Sequence, residues 1–151
     1  MDLQSQRRAW LALASVLGVG PRTCGALVRA LNGIEGVMRA SRAQLAAVSG
    51  VGRVRVEALV RGLSSADPVA IEREAAAVGC CVVTPVDPGY PPAVLEATDP
   101  PPALWIRGTL PGSDRTAVAV VGTRGASAYG TRVAHRLGEG LARAGVVVVS
   151  G

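Results

Sequence analysis

Apolar residues recur every three or four positions through residues 1–63, which is the spacing of amphipathic helices. Trp10, Leu13 and Leu17 form the first apolar row and predict a helix that places this row in a core. The row continues into a second stretch of the same kind. The first part of the chain is therefore expected to be helical.

A short polar stretch interrupts this pattern at residues 64–68 (SSADP). It predicts a linker that opens a new helix, with Asp67 as the N-cap and Pro68 at the first helical position. We therefore expect a helical domain at residues 1–63, followed by a linker and connecting helix at residues 64–79.

From residue 80 onward, apolar residues cluster instead in short runs of strand length. These runs are residues 80–84, 103–108, 116–122 and 146–150. Helical spacing returns over residues 131–144, between the last two runs. Strand, turn, helix and strand in that order make the βαβ unit of a parallel sheet. The predicted fold class is α/β: an all-helical, helix-hairpin-helix or SAM-like domain, then an incomplete Rossmann-like parallel-sheet domain over residues 80–151, as in a truncated chain.

The helical part contains an internal repeat. Gly-Val-Gly occurs at residues 18–20 and again at 50–52, and the same shift along the sequence carries residues 26–31 (ALVRAL) onto residues 58–63 (ALVRGL). Each copy predicts a helix, a tight turn and a helix, and the N–H groups that open the second helix can bind a phosphate. Docking of a protein, or tight packing alone, remains the alternative. The predicted phosphate contacts are Gly18, Gly20, Arg22, Gly50, Gly52, Arg53 and Arg55.

A further helix signal lies between the two copies. Ser41 and Gln44 have the spacing of a capping box, which predicts the start of a short helix that runs to Val48. The helical part is therefore expected to hold about five helices.

Charge divides the chain into three zones. Residues 1–63 hold nine Arg and three acids (net +6), residues 64–114 two Arg and seven acids (net −5), and residues 115–151 five Arg and one acid (net +4). Clustered Arg indicates a phosphate-bearing partner, most often nucleic acid. All 16 basic residues are Arg, which is typical of GC-rich coding, so a merely solvated basic surface is the alternative.

Several classes of chemistry lack their residues. The three cysteines form no metal-ligand spacing, and His135 is the only histidine, so neither a metal site nor a catalytic triad is expected. No cofactor and no enzymatic activity are predicted. No segment approaches the ~20 apolar residues of a membrane span. A cytoplasmic location is expected, although Arg7 and Arg8 before an apolar stretch imitate an export signal.

The most informative local feature is the glycine turn, residues 120–130 (VVGTRGASAYG), which joins a strand to a helix that begins near Ser127. It lacks the P-loop lysine and the G-x-G-x-x-G spacing of a dinucleotide loop, so neither ATP nor NAD is favoured. An anion site with Arg124 inside it remains, suited to a phosphate or a phosphodiester. Tyr129 stacks on a base or, more commonly for such a residue, packs under the turn; Trp105 is expected in the core.

Three segments, in order and spacing, resemble the opening of the DNA-processing protein A (DprA/Smf) family. They are residues 90–108 (YPPAVLEATDPPPALWIRG), residues 118–130 (VAVVGTRGASAYG) and residues 145–151 (GVVVVSG). The resemblance implies an extended Rossmann-like fold that binds and protects single-stranded DNA without catalysis. It also implies transfer of that strand to the RecA recombinase in natural transformation, and a homodimer of the full-length protein.

The same resemblance implies DNA contacts by Gly122, Thr123 and Arg124, and a second anion-binding loop that begins at Ser150 and Gly151. The predicted DNA-binding residues of this region are Gly122, Thr123, Arg124, Gly125, Ser127, Ser150 and Gly151. Two other functions stay open: a nucleotide-phosphate-binding enzyme on a related Rossmann-like scaffold, and a protein-docking helical module in an inactive fragment.

Overall fold

The computed structural model describes residues 1–112 and 114–150, which form two compact units divided between Thr109 and Leu110. The first unit contains α1 (Leu3–Ala14), α2 (Pro21–Ala30), α3 (Ile34–Arg39), α4 (Arg42–Ala47), α5 (Arg53–Ser65), α6 (Pro68–Ala77), β1 (Cys81–Val83), α7 (Pro92–Leu95) and β2 (Leu104–Ile106). The second contains β3 (Ala117–Ala119), α8 (Ala128–Arg143) and β4 (Val147–Val149).

Five helices, α1 to α5, pack around one apolar core, as the repeat predicts. Leu13, Leu27, Val37 and Leu59 are fully buried in this core. Local signals set the helix ends: Ser41 and Gln44 form a capping box at the start of α4, because each satisfies a backbone N–H that the helix leaves free. The predicted fold class is confirmed in its helical part.

The predicted Asp67–Pro68 start of α6 is also present. The Asp67 carboxylate accepts hydrogen bonds from the Val69 and Ala70 N–H groups at 3.1 and 3.0 Å. After α6, β1 pairs antiparallel with β2, with Val82 opposite Trp105. Beyond residue 110, β3 and β4 are parallel neighbours joined by α8, so the βαβ prediction is confirmed.

The two compact units are divided between residues 109 and 110. The sequence analysis instead expected a domain boundary between residues 63 and 64. A second core, made of Leu11, Ala75, Val82 and Ala103, joins α1 to α6, β1 and β2. Helix α1 thus has two apolar faces, and its second face holds the β1–β2 pair in the first unit. Residues 80–109 lie there instead of with the parallel strands.

Trp105 is not in the core, contrary to expectation; its residue surface is 51% exposed. It lies on β2, an edge strand of a sheet that has two strands. The neighbouring Ala103 makes the core contact of this segment instead. The apolar run in the sequence therefore predicted the position of the strand correctly. It did not predict which side chain of this segment is buried.

A polar cluster centred on Arg7 reinforces the second core. The Arg7 guanidinium pairs with Glu72 and donates from Nε to the Asp87 carboxylate oxygens at 3.0 and 3.1 Å. It also donates from Nη2 to the Val82 carbonyl at 2.7 Å. The same carboxylate accepts hydrogen bonds from the N–H and hydroxyl of Thr84, at 2.7 and 2.9 Å. One arginine of α1 thus connects α6 with β1 and the turn that follows it.

We expect residues 1–63 to form helices when expressed alone, because the core of α1 to α5 lies almost entirely within them. The isolated segment should nevertheless melt at a lower temperature than residues 1–109. Leu11 would lose its cover from β1 and α6, a loss of about 1.5–3 kcal/mol for a large aliphatic side chain. Thermal melts followed by circular dichroism compare the two, and a random-coil spectrum for residues 1–63 would contradict the expectation.

Candidate nucleic-acid interface

The glycine turn lies where the sequence predicts it, between the carboxyl end of β3 and the start of α8. Strand pairing extends one residue past β3, since the Val120 N–H donates to the Val149 carbonyl at 2.8 Å. Parallel register places Ala119 opposite Val149. Ser150, just after β4, therefore follows the carboxyl end of its strand at the same end of the sheet as the glycine turn.

Hydroxyl groups hold the turn and the first turn of α8. The Thr123 hydroxyl accepts a hydrogen bond from the Gly125 N–H at 3.3 Å. Ser127 is the N-cap, and its hydroxyl accepts from the Gly130 N–H at 3.2 Å. The first N–H groups of any helix lack intrahelical acceptors, so those of Ala128 and Tyr129 remain for an anion. The turn is a short, donor-rich surface.

A cavity of about 580 Å³ opens beside the turn. The predicted contacts that line it are Gly122, Thr123, Ser127 and Ser150. Arg124 and Gly125 do not line it; both are exposed. Gly151 lies outside the described residues. The structure thus brings four of the seven predicted residues of this region to one cavity.

Arg124 lies outside that cavity and its side chain is exposed. Within the described part of the chain, its side chain has no ion pair or hydrogen bond to another residue. Neither Gly122 nor Gly125 has a positive φ, and a Cβ built on either would meet open space. Backbone strain therefore does not require these glycines, and they leave the turn accessible to a bulky partner.

Tyr129 does not pack under the turn, contrary to the commoner expectation for such a residue. It is 72% exposed and lies at the rim of the cavity. It is the second residue of α8, two positions after the N-cap Ser127. An exposed aromatic ring beside a donor-rich turn is available to a base.

The second candidate surface consists of the two hairpin turns, residues 18–20 and 50–52. Gly18 and Gly50 have φ of 78° and 81°, a region that favours glycine. Gly20 and Gly52 are the N-caps of α2 and α5 and provide no side-chain cap. The N–H groups that open both helices are therefore open to an acceptor.

Three arginines surround the hairpin turns. Arg22, Arg53 and Arg55 are all exposed, and the Arg55 guanidinium donates to the Gly50 carbonyl at 3.2 Å. One cavity of about 490 Å³ is lined by Gly18, Gly52, Arg53 and Arg55, and another of about 300 Å³ by Arg22, Gly50 and Arg55. Six of the seven predicted hairpin residues therefore line two neighbouring grooves; Gly20 lines neither.

Two residues of this surface escaped the sequence analysis. Leu17 was expected in the core, but α1 ends at Ala14 and Leu17 is 89% exposed. Val54 is 83% exposed, and both Leu17 and Val54 line the cavity of about 490 Å³. The internal repeat could have indicated Val54 as unusual. The shift that superimposes the two copies places this valine where the first copy has Arg22.

Other chemistry-bearing groups stand apart from these surfaces. Burial raises the pKa of the Cys24 thiol to about 11, so it stays protonated at neutral pH. Within residues 1–112 and 114–150, no three His, Cys, Asp or Glu side chains are grouped to hold a metal ion. No helix among the described residues is long and apolar enough to cross a membrane.

Comparison with known families identifies both parts of the chain. A family described as a SAM-like helix-hairpin-helix tandem matches residues 11–65. The family described as DNA recombination-mediator protein A matches residues 81–151, from β1 through the glycine turn to Gly151. Over this range the chain is similar to the DNA recombination-mediator protein A family. The recombination-mediator range thus includes β1 and β2 of the first unit as well as the second unit.

Two individual proteins are also similar to this chain. Protein Smf of Synechocystis sp. is 29% identical over 151 residues, which cover 97% of this chain and 38% of the relative. Protein Smf of Escherichia coli is 44% identical over 62 residues, which cover 41% of this chain and 17% of the relative. The chain therefore spans well under half the length of these two relatives.

Proposed function

We propose that this chain binds single-stranded DNA through the glycine turn, without catalysing a reaction on it, as part of DNA processing in recombination. The observation that carries the proposal is Arg124, exposed and without a partner among the described residues, on a donor-rich turn inside the recombination-mediator range. The chemistry of the turn supports a phosphodiester as its ligand. Backbone N–H groups and hydroxyls donate hydrogen bonds to its oxygens, and a guanidinium matches phosphate geometry with two parallel donors.

The same turn argues against the alternative of a nucleotide-processing enzyme. Residues 120–130 contain no Asp, Glu, His, Cys or Lys, so they offer no side chain well suited to general acid or base catalysis. Contacts of this kind reach the backbone of a nucleic acid and fix its position without reading its sequence. Exposed Tyr129 adds a stacking surface for an unpaired base, which favours a single strand over a duplex.

The hairpin turns are proposed as a second surface that binds a nucleic-acid backbone, because both helix starts are open and three arginines surround them. The family resemblance supports the remaining parts of the proposal. In the longer protein, the bound strand is protected and presented to the RecA recombinase in the cytoplasm during natural transformation, and the full-length protein forms a homodimer. None of these steps requires a cofactor or a membrane.

Replacing Arg124 by alanine should weaken binding of all single-stranded oligonucleotides about equally, by roughly five-fold, which is about 1 kcal/mol. The slope of log K against log salt should fall by up to ~0.7, the value for one phosphate on a single strand. Titration of a labelled dT strand and a mixed-sequence strand at several salt concentrations measures both quantities.

Arg143→Ala is the matched control for that experiment. Arg143 lies at the far end of the 16-residue helix α8 and pairs with Glu139 at 2.6 Å, so its loss should leave affinity nearly unchanged. If Arg124→Ala keeps the affinity and the salt slope of the wild type while its circular dichroism is normal, the turn does not bind DNA. A loss that depends strongly on base sequence would contradict backbone contact.

A further inference from the structure

The two grooves at the hairpin turns are equivalent positions of the internal repeat. The smaller one, here the polar groove, is lined by Arg22, Ser49, Gly50 and Arg55 among others. The larger one, here the apolar groove, is lined by Leu17, Gly18, Arg53, Val54 and Arg55 among others. The shift that superimposes the two copies carries Leu17 onto Ser49, Gly18 onto Gly50 and Arg22 onto Val54. Exchanging the two repeats therefore exchanges the two grooves.

The exchange reveals a chemical difference that the repeat alone conceals. Where the polar groove has the hydroxyl of Ser49 and the guanidinium of Arg22, the apolar groove has the aliphatic side chains of Leu17 and Val54. Both aliphatic side chains are almost fully exposed. An anion held in the polar groove meets a guanidinium and a hydroxyl, whereas the equivalent place in the apolar groove presents methyl groups.

The surroundings of the apolar groove restrict what it can hold. Arg53 and Arg55 border it, and Arg55 also lines the polar groove, so the two grooves adjoin. A suitable occupant has an apolar face, carries negative charge, and is continuous with whatever occupies the polar groove. A nucleotide has all three properties, because its base and sugar have apolar faces and its phosphates continue to the next residue of the strand.

We propose that the polar groove holds a backbone phosphate and that the apolar groove holds the base and sugar of an unpaired nucleotide of the same strand, packed against Leu17 and Val54. This inference rests on the proposed function, because it takes DNA as the ligand. It adds to that function a preference for unpaired nucleotides. In a duplex, base faces are stacked on their neighbours and are not available to the groove. The helical tandem therefore selects single-stranded DNA by its apolar groove.

The test gives the apolar groove the residues that the polar groove has at the equivalent positions, in the double variant Leu17→Ser with Val54→Arg. Wild type and variant, as the full 151-residue chain, are titrated with a dT strand and with a strand of equal length built from abasic residues. Wild type should bind the dT strand more tightly than the abasic strand. The variant should reduce this ratio by at least about three-fold, since one base contact contributes ~1 kcal/mol or more.

The same variant adds an arginine at the position equivalent to Arg22. Its salt slope on the abasic strand should therefore rise by up to ~0.7, the value for one added phosphate contact on a single strand. Val69→Arg is the matched control, because Val69 is an exposed valine of α6 that lines neither groove. This control should leave the ratio between dT and abasic strands unchanged.

The outcomes separate the inference from the function on which it rests. If the double variant is folded and keeps the wild-type ratio, no base lies on Leu17 and Val54, and the groove serves another occupant such as a protein; the inference is then wrong. If Arg124→Ala is silent but the double variant lowers the ratio, the glycine-turn proposal fails and the inference stands. If the wild-type chain shows no salt-dependent DNA binding, both fail.

Discussion

Arg7→Ala is expected to lower the free energy of unfolding of the Met1–Thr109 unit by about 3 kcal/mol, the typical cost of removing one partner from a largely buried ion pair. The Arg7 side chain is 19% exposed, so water replaces little of what is lost. Its removal leaves the Glu72 and Asp87 carboxylates and the Val82 carbonyl without their shared donor. The buried Thr84, which donates to Asp87, is loosened with them.

Urea denaturation followed by circular dichroism measures this loss. Arg8→Ala is the matched control, since Arg8 is the exposed neighbour on the same helix, and its change should stay within about 0.5 kcal/mol. Arg7→Lys should fall between the two, because an ammonium keeps the charge but not the fork of donors. Equal stability of Arg7→Ala and Arg8→Ala would show that the Arg7 cluster contributes nothing to the fold.

Gly36→Ala should destabilise the same unit by at least about 3 kcal/mol, because the added methyl group has no space and the backbone must move. A Cβ at Gly36 would overlap the Leu31 carbonyl oxygen, a main-chain atom that cannot rotate away. The tight connection between α2 and α3 causes this approach, with Asn32 and Gly33 at φ of 57° and 102°.

Gly140→Ala provides the comparison on helix α8. A Cβ at Gly140 meets nothing within 4 Å, so this change should stabilise its helix by about 0.5–1 kcal/mol through helix propensity alone. The two substitutions are chemically identical, so opposite signs in their denaturation midpoints isolate the steric effect. A Gly36→Ala protein as stable as wild type would mean that the α2–α3 connection is less tight than described.

Features that depend on neighbouring residues were predictable from the sequence. The capping box at Ser41 and the N-cap at Asp67 were predicted from residues three or fewer positions apart. The βαβ unit followed from runs whose length and spacing are local properties. The glycine turn was located for the same reason, since it lies between a strand signal and a helix signal.

Features that depend on distant residues were not predictable. Arg7 resembled part of an export signal, whereas its partner Asp87 lies 80 positions along the chain. Leu17 matched the helical spacing of α1 but lies beyond its end, and periodicity does not state where a helix stops. The same limit applies to β1 and β2, whose apolar runs gave no indication that they pack on α1.

The site was predicted in composition more than in arrangement. Glycines, hydroxyls and Arg124 are close in sequence, so their assembly at one turn was expected. The sequence did not show that Arg124 lies outside the cavity that Thr123 and Ser127 line. The internal repeat was recognised from the residues that its two copies share. The difference between them, Val54 at the position equivalent to Arg22, was therefore not noticed.

The unlike grooves of the helical tandem have a consequence for the orientation of a bound strand. A tandem whose two identical grooves were exchanged by a two-fold rotation would accept a nucleic acid equally well when its 5′ end pointed either way. Here Leu17 occupies the position that Ser49 has in the other repeat, and Val54 the position that Arg22 has. Turning the strand around exchanges a guanidinium for methyl groups at each end of the site. If the tandem binds DNA as we propose, the two orientations of the strand differ in binding energy, and we expect it to be held with one 5′-to-3′ polarity.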